Sequence, residues 1–407
     1  MNIWYVNPYA GGPGVGRYWR AYYLSREWMK AGHSVRVVTA AYHHLMDTKE
    51  PKSGEHVVDG VAYNYIPGVK YQGNGFLRFF SMIVFSIMFF FWGARQGFKD
   101  KPELIIYSSA HPFGYPFAWC LAKFFRCKIF FEVRDLWPLS LIDIAGFGRF
   151  HPVVIVLSML EHFAYRTADA VISLLPGAKT YMQERGMLPS KFLYVPNGAV
   201  LNDICGSLHE EKGLVSDMKE FKRRGDFLFF YAGALGEPNA MHKFVDSLAH
   251  VKARGVRGIR FIVVGKGEQE FELKGRCRSL GYDFVDFYPQ VDKRIVYSAL
   301  AYADCGFFVM HDSPIYKYGV SLNKLYDYMS SCVPVVACYR PHNDAVSDAG
   351  CGVSVMPECP EALASAFIHM SGLDAARLKE MGSSGRAYFE KNFEYSVLAS
   401  RILKFAV

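Results

Sequence analysis

The feature that most restricts the fold of this chain is a pair of glycine-rich turns, each placed directly after a short apolar run. Residues 3–6 precede the glycines of Asn7–Gly16, and Phe227–Tyr231 precedes Gly233. A helical pattern over 17–31 and an apolar run over 35–39 follow the first turn. A strand, a glycine turn, a helix and a second strand in this order predict a βαβ unit. The sequence therefore predicts an α/β protein with two such halves.

A polar, charged stretch between the halves marks the predicted domain boundary. We assign residues 1–205 to a first domain, 206–226 to a linker and 227–388 to a second domain. Residues 389–407 are predicted to form a C-terminal helix that packs back on the first domain. Doubly wound sheets bind ligands outside the carboxyl ends of their strands. Two Rossmann-like domains facing a central cleft are therefore the simplest arrangement.

The composition excludes several classes of protein. Of the 407 residues, 51% are hydrophobic and 21% are charged, which argues against disorder. The net charge of +8 suits phosphates or an anionic membrane surface, and no nucleic-acid-binding motif accompanies it. Nine cysteines without CxxC or zinc-type spacing indicate reduced thiols in a cytoplasmic protein. The first residues predict a strand rather than a secretory signal.

The first glycine turn does not fit a dinucleotide site. Glycines at 11, 12, 14 and 16 depart from GxGxxG, and no acidic residue ends the second strand at Thr39-Ala40. This argues against a nicotinamide-dependent oxidoreductase. The turn either brings the backbone close to a ligand or packs against the other domain.

The stretch Tyr318–Val336 carries the clearest chemical signal. A helical pattern starts near Leu322, and either Ser321 or Asn323 can cap it. Lys324 then places a cation at the positive end of a helix, which an anionic ligand would explain. Asp327, one turn later, could accept hydrogen bonds from sugar hydroxyls. The alternative is an ordinary amphipathic helix with a surface lysine and a surface aspartate.

Three further polar groups follow predicted strands. Gly265-Lys266-Gly267 ends the apolar run 259–264, and its lysine could reach a phosphate. His111 and the Arg134–Asp135 pair lie at the carboxyl ends of two other strands, where ligands bind in parallel sheets. A lone histidine such as His111 could equally be structural.

The most unusual segment is the apolar stretch 76–93. Between Phe79 and Trp92 only two residues are polar, and cations flank the run. A helix of 14 residues spans about 21 Å, short of the ~30 Å hydrocarbon core, so a crossing is not expected. Either a buried core helix or a helix in the membrane interface fits. Aromatic residues on every face favour membrane contact, with Phe85 and Phe89 among the expected membrane side chains.

Several motifs in order make the resemblance to a known family specific. They are Gly12–Gly16, Glu132–Pro138, Pro196-Asn197-Gly198, Tyr231-Ala232-Gly233, Val264–Gly267 and Gly319–Val336. With these, the chain resembles the retaining GT-B glycosyltransferases of family 4 nearly end to end. The motifs in Glu132–Pro138 and Tyr318–Met329 resemble bacterial transferases that build O-antigen and capsule repeat units on a lipid carrier.

The resemblance implies a donor-binding site made mostly by the second domain. Asp327 matches the second acidic residue of the family's Glu-x7-Glu motif, which binds the ribose. The residues that match segments near the diphosphate or the base are Gly14, Gly16, Gly233, Gly265, Lys266, Gly267, Val291, Ser321, Asn323, Lys324 and Leu325. The resemblance matches His111 to the family's catalytic-edge histidine, and Arg134 and Asp135 are expected to face the same cleft.

The chain also departs from the family pattern at three positions. The first acidic residue of Glu-x7-Glu is Gly319, and the usual arginine and lysine after the first strand of the second domain are Ala234 and Ala240. Lys324, Lys266, backbone N–H groups and Arg17 would then meet the diphosphate charge.

The resulting hypothesis is a peripheral enzyme on the cytoplasmic face of the inner membrane. It would move a sugar from a nucleoside diphosphate, with UDP preferred, to a polyprenyl-diphosphate-linked saccharide. No cofactor and no metal are expected, because no Asp-x-Asp pair occurs and the helix end and lysines can meet the charge. A nucleic-acid partner is not expected. The alternatives are a nucleotide-sugar epimerase or phosphorylase of the same fold, and a non-catalytic scaffold that binds nucleotide sugars.

Overall fold

The chain divides into two compact units, each built around its own parallel sheet. The computed structural model describes residues 1–46, 53–71, 73, 75–143, 146–201, 213–340 and 342–406. Unit 1 comprises Met1–Pro196 and Tyr395–Val407, and unit 2 comprises Asn197–Glu394.

Unit 1 contains an eight-stranded sheet. Its strands are β1 (Asn2–Val6), β2 (Ser34–Ala40), β3 (Gly54–Val58), β4 (Val61–Ile66), β5 (Leu104–Ser109), β6 (Lys128–Val133), β7 (Ala170–Ser173) and β8 (Phe192–Tyr194). Their order is β3-β4-β2-β1-β5-β6-β7-β8, and every neighbouring pair except β3–β4 is parallel. The central strands β1 and β5 are apolar runs because helices cover both faces of a doubly wound sheet.

Helices connect these strands. They are α1 (Arg20–Lys30), α2 (Phe76–Lys99), α3 (Tyr115–Phe125), α4 (Leu139–Asp143), α5 (Pro152–Thr167) and α6 (Ala178–Glu184). Short 3₁₀ turns occupy Pro112–Gly114 and Pro189–Lys191. The hairpin β3–β4 is an addition to the predicted elements. Strand β3 is a largely exposed edge strand, so it lacks the apolar run by which the other strands were predicted.

Unit 2 contains a six-stranded sheet that is parallel throughout. Its strands are β9 (Phe227–Ala232), β10 (Ile259–Val264), β11 (Val285–Tyr288), β12 (Cys305–Val309), β13 (Val335–Cys338) and β14 (Gly352–Val355). Their order is β11-β10-β9-β12-β13-β14. The core on one face of the sheet is a cluster of aromatic rings with centroids 4.8–6.2 Å apart, formed by Phe229, Phe244, Phe261, Phe284, Phe307 and Phe367. Each fully buried phenylalanine stabilises the fold by about 1.5–3 kcal/mol.

The helices of unit 2 surround this sheet. They are α7 (Leu214–Arg223), α8 (Met241–Ala253), α9 (Glu270–Ser279), α10 (Lys293–Leu300), α11 (Asn323–Ser330), α12 (Ala345–Ala349), α13 (Pro360–Ser371) and α14 (Ala375–Asn392). Two 3₁₀ turns, Glu237–Asn239 and Pro314–Tyr318, lie at the carboxyl ends of β9 and β12.

The last helix, α15 (Tyr395–Ala406), belongs to unit 1. The indole N–H of Trp28 on α1 donates a hydrogen bond to the carbonyl of Ala399 at 3.1 Å. The rings of Tyr23 and Tyr395 stack with centroids 4.9 Å apart. The chain therefore returns to its first unit with a helix that begins at Tyr395, and residues 389–392, which the prediction included in the last helix, are part of α14.

The structural division differs from the predicted domain bounds. Along the chain, the first unit ends at Pro196, whereas the predicted end of the first domain is residue 205. Of the predicted linker 206–226, residues 206–212 lie outside the described part of the chain, as does Cys205. The remainder holds α7, whose apolar side chains Leu214, Val215 and Met218 are buried in the core of unit 2. Charged residues line only the outer face of this helix, which explains why its sequence is so polar.

Candidate functional site

The start of α11 carries a lysine with no acidic partner in the part of the chain that the structure describes. Lys324 Nζ donates hydrogen bonds to Asn239 Oδ1 at 2.6 Å and to the hydroxyl of Tyr231 at 3.2 Å. It also lies 4.5 Å from the centre of the Tyr231 ring. Burial lowers the pKa of Lys324 to about 7, because nothing nearby offsets the cost of its charge. An anionic ligand would supply that compensation.

The N-terminus of α11 has no side-chain cap, so the predicted cap by Ser321 or Asn323 is wrong. The helix begins at Asn323, which is too late for its side chain to cap. Ser321 instead accepts two hydrogen bonds from Asn197. Ser321 Oγ accepts the backbone N–H of Asn197 at 2.8 Å, and the Ser321 carbonyl accepts the side-chain Nδ2–H of Asn197 at 3.2 Å. In the described residues, no acceptor takes the backbone N–H of Asn323 or Lys324. These free N–H groups lie at the positive end of the helix dipole, which suits an anion.

Glycines allow the turns after β9 and β10 to pack closely beside Lys324. A Cβ on Gly233 would lie 3.2 Å from Lys324 Nζ and 2.9 Å from the Tyr231 hydroxyl. A Cβ on Gly265 would overlap the carbonyl oxygen of Gly233 at 1.9 Å, and one on Gly267 would overlap that of Leu235 at 2.2 Å. The absence of side chains here is therefore a steric requirement. Lys266, between the two glycines, is exposed.

The other predicted donor-binding residues of unit 2 lie around the same helix. Asp327 Oδ1 accepts a hydrogen bond from the Tyr297 hydroxyl at 2.7 Å and forms an ion pair with Lys293 Nζ at 3.1 Å, so this carboxylate is bound to α10. Val291 is half-buried just before α10, and Leu325 is buried in the core. Asp327 thus has protein partners that the sequence analysis missed, because both lie some 30 residues earlier in the chain.

The glycine loop of unit 1 folds on itself. A Cβ on Gly16 would lie 2.8 Å from the carbonyl oxygen of Leu45, and Gly16 pairs with Gly12 and Met46. Gly14 lies at the exposed tip with φ of 70°, a conformation that favours glycine. Arg17 extends its exposed side chain from the same loop. Gly16 therefore has a packing role, whereas Gly14 and Arg17, the other two predicted site residues of this loop, are exposed.

Near the carboxyl ends of β1, β5 and β6 lies a buried ion pair that the sequence did not predict. The guanidinium of Arg20 bonds the carboxylate of Glu132 through Nε at 3.2 Å and Nη2 at 3.1 Å. The hydroxyls of Tyr5 and Ser108 each donate to Glu132 Oε1 at 2.8 Å. Although burial alone would raise the pKa of Glu132, the two arginines Arg20 and Arg134 hold it below its ordinary value. The fully hydrogen-bonded pair links the ends of β1, β5 and β6. An acidic residue at the end of an apolar strand is the signal that could have revealed it.

The predicted catalytic residues occupy two different environments in unit 1. The guanidinium of Arg134 lies 4.8 Å from the centre of the Tyr18 ring, and Asp135 beside it is exposed. His111 is buried, and both ring nitrogens lack a hydrogen-bond partner in the described residues. Burial, with the charge of Arg78, lowers the pKa of His111 to about 3, so the imidazole is neutral. His111 packs among aromatic rings, including Phe85 at 6.3 Å.

In each unit, the predicted site residues form a group that follows the carboxyl ends of neighbouring strands, although Gly16, His111 and Leu325 are buried. In unit 1 the group follows β1, β5 and β6 and comprises Gly14, Gly16, Arg17, His111, Arg134 and Asp135. In unit 2 it follows β9–β12 and comprises Gly233, Gly265, Lys266, Gly267, Val291, Ser321, Asn323, Lys324, Leu325 and Asp327. Each group lies at the carboxyl edge of its sheet, where ligands of this architecture bind.

Helix α2 is longer than predicted and presents two faces. Its 24 residues make it the one helix in the described chain that is long and apolar enough to cross a membrane by length and composition. One face, however, packs into unit 1 through Ser81, Phe85, Ser86, Phe89, Gly93 and Gly97. The opposite face is apolar and exposed, and consists of Phe76, Leu77, Phe80, Ile87, Met88, Phe91 and Phe98. Phe85 and Phe89, expected on the membrane side, are 1% and 0% exposed and belong to the core.

Comparison with protein families finds two matches that follow one another along the chain. Residues 14–198 match the model of the glycosyl transferase 4-like domain. Residues 226–372 match the model of glycosyl transferases group 1. No curated protein sequence is significantly similar to the chain.

Solved structures share the fold over nearly the whole chain. Sucrose-phosphate synthase from Thermosynechococcus elongatus superposes with a TM-score of 0.73 at 16% identity, covering 99% of this chain and 98% of that one. Anabaena HepE in complex with UDP-glucose gives 0.65 at 14% identity, with the same coverage. WaaG, a glycosyltransferase involved in lipopolysaccharide biosynthesis, gives 0.65 at 13% identity and covers 98% of both chains.

Proposed function

The chain is a glycosyltransferase of the GT-B fold, and from this premise we propose that it transfers a sugar from a nucleoside diphosphate to a lipid-linked saccharide. The preferred nucleotide in this proposal is UDP, and the acceptor is a polyprenyl-diphosphate-linked saccharide of a surface polysaccharide such as O-antigen or capsule. HepE, of the same fold, was solved with UDP-glucose, and WaaG takes part in lipopolysaccharide biosynthesis. Both support the proposal.

The observation that carries the proposal is the unneutralised cation at the start of α11. Lys324 Nζ is held by the neutral groups of Asn239 and Tyr231, and the backbone N–H groups of Asn323 and Lys324 are free of protein acceptors in the described residues. A diphosphate docked here would receive one charge and two backbone donors. This arrangement favours phosphate over a neutral ligand.

The proposed chemistry follows from where charge develops. Cleavage of the bond between the sugar and the diphosphate builds negative charge on the leaving group. Lys324 and the helix end would stabilise that charge, and each such contact is worth about 3 kcal/mol where water is excluded. The lysine and helix dipole meet the phosphate charge, so the proposed reaction needs no metal and no other cofactor.

We expect the sugar to keep its anomeric configuration. A two-carboxylate mechanism would need a pair of acids at the reacting carbon. Asp135 and Asp327 are the only acidic side chains among the predicted site residues. Asp327 is already bonded to α10. The departing phosphate would instead accept the proton of the attacking hydroxyl on the same face of the sugar. In this proposal Arg134, Asp135 and the neutral His111 act on the acceptor.

The acceptor side of the proposal concerns the membrane. The exposed apolar face of α2 offers seven large side chains to a bilayer, and the cations Arg95 and Lys99 are exposed near its C-terminal end. Because the other face packs into the protein, α2 would lie in the interface of an anionic membrane rather than cross it. The proposed location is the cytoplasmic face of the inner membrane, with the enzyme as a peripheral protein.

Replacing Lys324 tests the donor site. The substitution Lys324→Ala should weaken UDP binding roughly 10–100-fold, because a hydrogen bond between charged groups is lost. Binding of uridine should change by less than about twofold. Uridine has no phosphate to contact Lys324, so the substitution removes no interaction with it. Both affinities are measured by isothermal titration calorimetry. Lys379→Ala, at an exposed position of α14, is the matched control and should leave both unchanged. Equal losses for UDP and uridine would remove Lys324 from phosphate binding.

Turnover separates the transferase from its alternatives. Purified enzyme with a UDP-sugar should release free UDP only when a polyprenyl-diphosphate saccharide is added. An epimerase would convert the sugar without releasing UDP, and a scaffold would show no turnover with the authentic donor and acceptor. Either result would contradict the proposed function.

A further inference from the structure

A second polar cluster lies at the carboxyl edge of the unit 2 sheet. Glu237, His242 and His311 each offer one ligand atom, and these atoms all lie within 4.8 Å of one another. They come from three elements: the 3₁₀ turn Glu237–Asn239, the first turn of α8, and the segment after β12. Residues so far apart in sequence converge because β9 and β12 are neighbours in the sheet.

The contacts within the cluster orient its carboxylate. Gln269 Nε2 donates a hydrogen bond to Glu237 Oε2 at 2.6 Å. This leaves Glu237 Oε1 facing His311, whose Nε2 lies 3.1 Å away. The rings of His242 and His311 lie with centroids 5.3 Å apart. A partner that holds one oxygen of a carboxylate while the other faces the imidazoles is the arrangement found around metal ligands.

We propose that Glu237, His242 and His311 bind a divalent transition metal ion, with Zn²⁺ as the best fit, and leave a fourth position to water. Two imidazole nitrogens and one carboxylate oxygen are a common ligand set for zinc. Tetrahedral zinc holds such atoms about 2.0–2.2 Å from the ion and therefore about 3.3 Å apart.

Small side-chain rotations would close the cluster around the ion. Glu237 is exposed and both histidines are half-exposed, so none is fixed by close packing. If His311 binds through Nε2, its present hydrogen bond to the Glu237 carbonyl at 2.8 Å is lost, and water can replace it at this exposed position. The bound ion would link the turn after β9 to the segment after β12. This inference does not depend on glycosyl transfer.

Metal titration of the full chain, carrying no polyhistidine tag, tests the site. We expect about one Zn²⁺ per chain by calorimetry, and Co²⁺ should show the visible absorption of a four-coordinate ion. His311→Ala and His242→Ala should each lower Zn²⁺ affinity at least tenfold. Gln269→Ala, which releases the carboxylate, should lower it about 10–100-fold. His250→Ala, at an exposed position later on α8, is the matched control and should change nothing.

Two results would overturn the proposal. One is wild-type protein that takes up no Zn²⁺ at millimolar concentration. The other is an equal loss of affinity in His250→Ala and His311→Ala, which would show binding to scattered surface histidines. If either histidine variant fails to fold, Glu237→Gln at its exposed position answers the same question through loss of Co²⁺ absorption.

Discussion

Glu161 on α5 is an acidic side chain buried in unit 1, and its surroundings make the stability of the fold depend on pH. Its carboxylate accepts hydrogen bonds from Tyr165 at 3.0 Å and Tyr181 at 3.2 Å, and Arg185 lies 3.7 Å away. Burial outweighs these contacts and raises the pKa of Glu161 from 4.5 to about 7.

The direction of the effect follows from proton binding. Between pH 4.5 and about 7 the folded protein binds a proton at Glu161 that the unfolded chain has lost. The free energy of unfolding therefore falls as pH rises through this window, and the loss is complete above about pH 7. Glu161→Gln has no charge to bury, so it should be more stable than the wild type by about 1–3 kcal/mol at pH 8 and similar to it at pH 4.5. Urea unfolding at both pH values measures this.

The control is Glu184→Gln, at an exposed position on α6. It should unfold like the wild type at both pH values. Identical pH profiles for Glu161→Gln and the wild type would show that the buried carboxyl does not carry the effect.

At the residue scale, sequence patterns identify the charged group but not what surrounds it. Lys324 could be predicted as an anion-binding residue from one cation at a helix start. Tyr231 and Asn239, which hold its ammonium group, lie 93 and 85 residues away in the chain, and only the folded sheet brings them together. His111 shows the same limit: its place after a strand was predictable, whereas its burial depends on aromatic side chains from other elements.

At the scale of elements, composition predicted helix α2 correctly but did not predict which of its faces is buried and which is exposed. The apolar run ends at Trp92, yet the helix continues to Lys99. Gly93 and Gly97, which would weaken an isolated helix, fit against Leu121 and Phe125 of α3, where any Cβ would clash. Aromatic residues on every side hid the division into a packed face and an exposed face, because periodicity separates faces only when one of them is polar.

The exposed face of α2 yields the membrane prediction. Replacing Phe80 and Phe91, which are 45% and 64% exposed, with serine should lower binding to anionic liposomes roughly tenfold or more, because less apolar area enters the bilayer. Co-sedimentation with liposomes measures the bound fraction, and UDP affinity should stay unchanged. Phe271→Ser, at a 90% exposed position of α9, is the matched control and should bind liposomes like the wild type.

A substitution on the packed face of α2 should affect the stability of the fold. Phe85→Ser should destabilise the fold by about 3 kcal/mol, because it empties a core position. Unchanged sedimentation of the Phe80→Ser, Phe91→Ser double variant would rule out membrane contact through this face.

At the scale of the whole molecule, the chain builds its first unit from both of its ends. The α/β alternation, the number of units and the parallel sheets were predictable, because buried parallel strands are continuous apolar runs. The point of division was not. Charged residues on the outer face of α7 resemble a linker in the sequence, and only the burial of its apolar face shows that it belongs to unit 2.

Because α15 is part of unit 1, a substitution near the C-terminus should lower the stability of the N-terminal part of the chain. Ile402 is fully buried on α15, and the helix contacts α1 through Trp28 and Tyr23. Ile402→Ala should destabilise unit 1 by about 2–5 kcal/mol. Hydrogen exchange followed by mass spectrometry should then show faster exchange in β1 and α1, with little change in β9 and β10, since local stability follows the unit to which an element belongs. Added UDP should slow exchange near α11 equally in the variant and the wild type. Faster exchange throughout residues 227–388 after Ile402→Ala would instead mean that the two units unfold together.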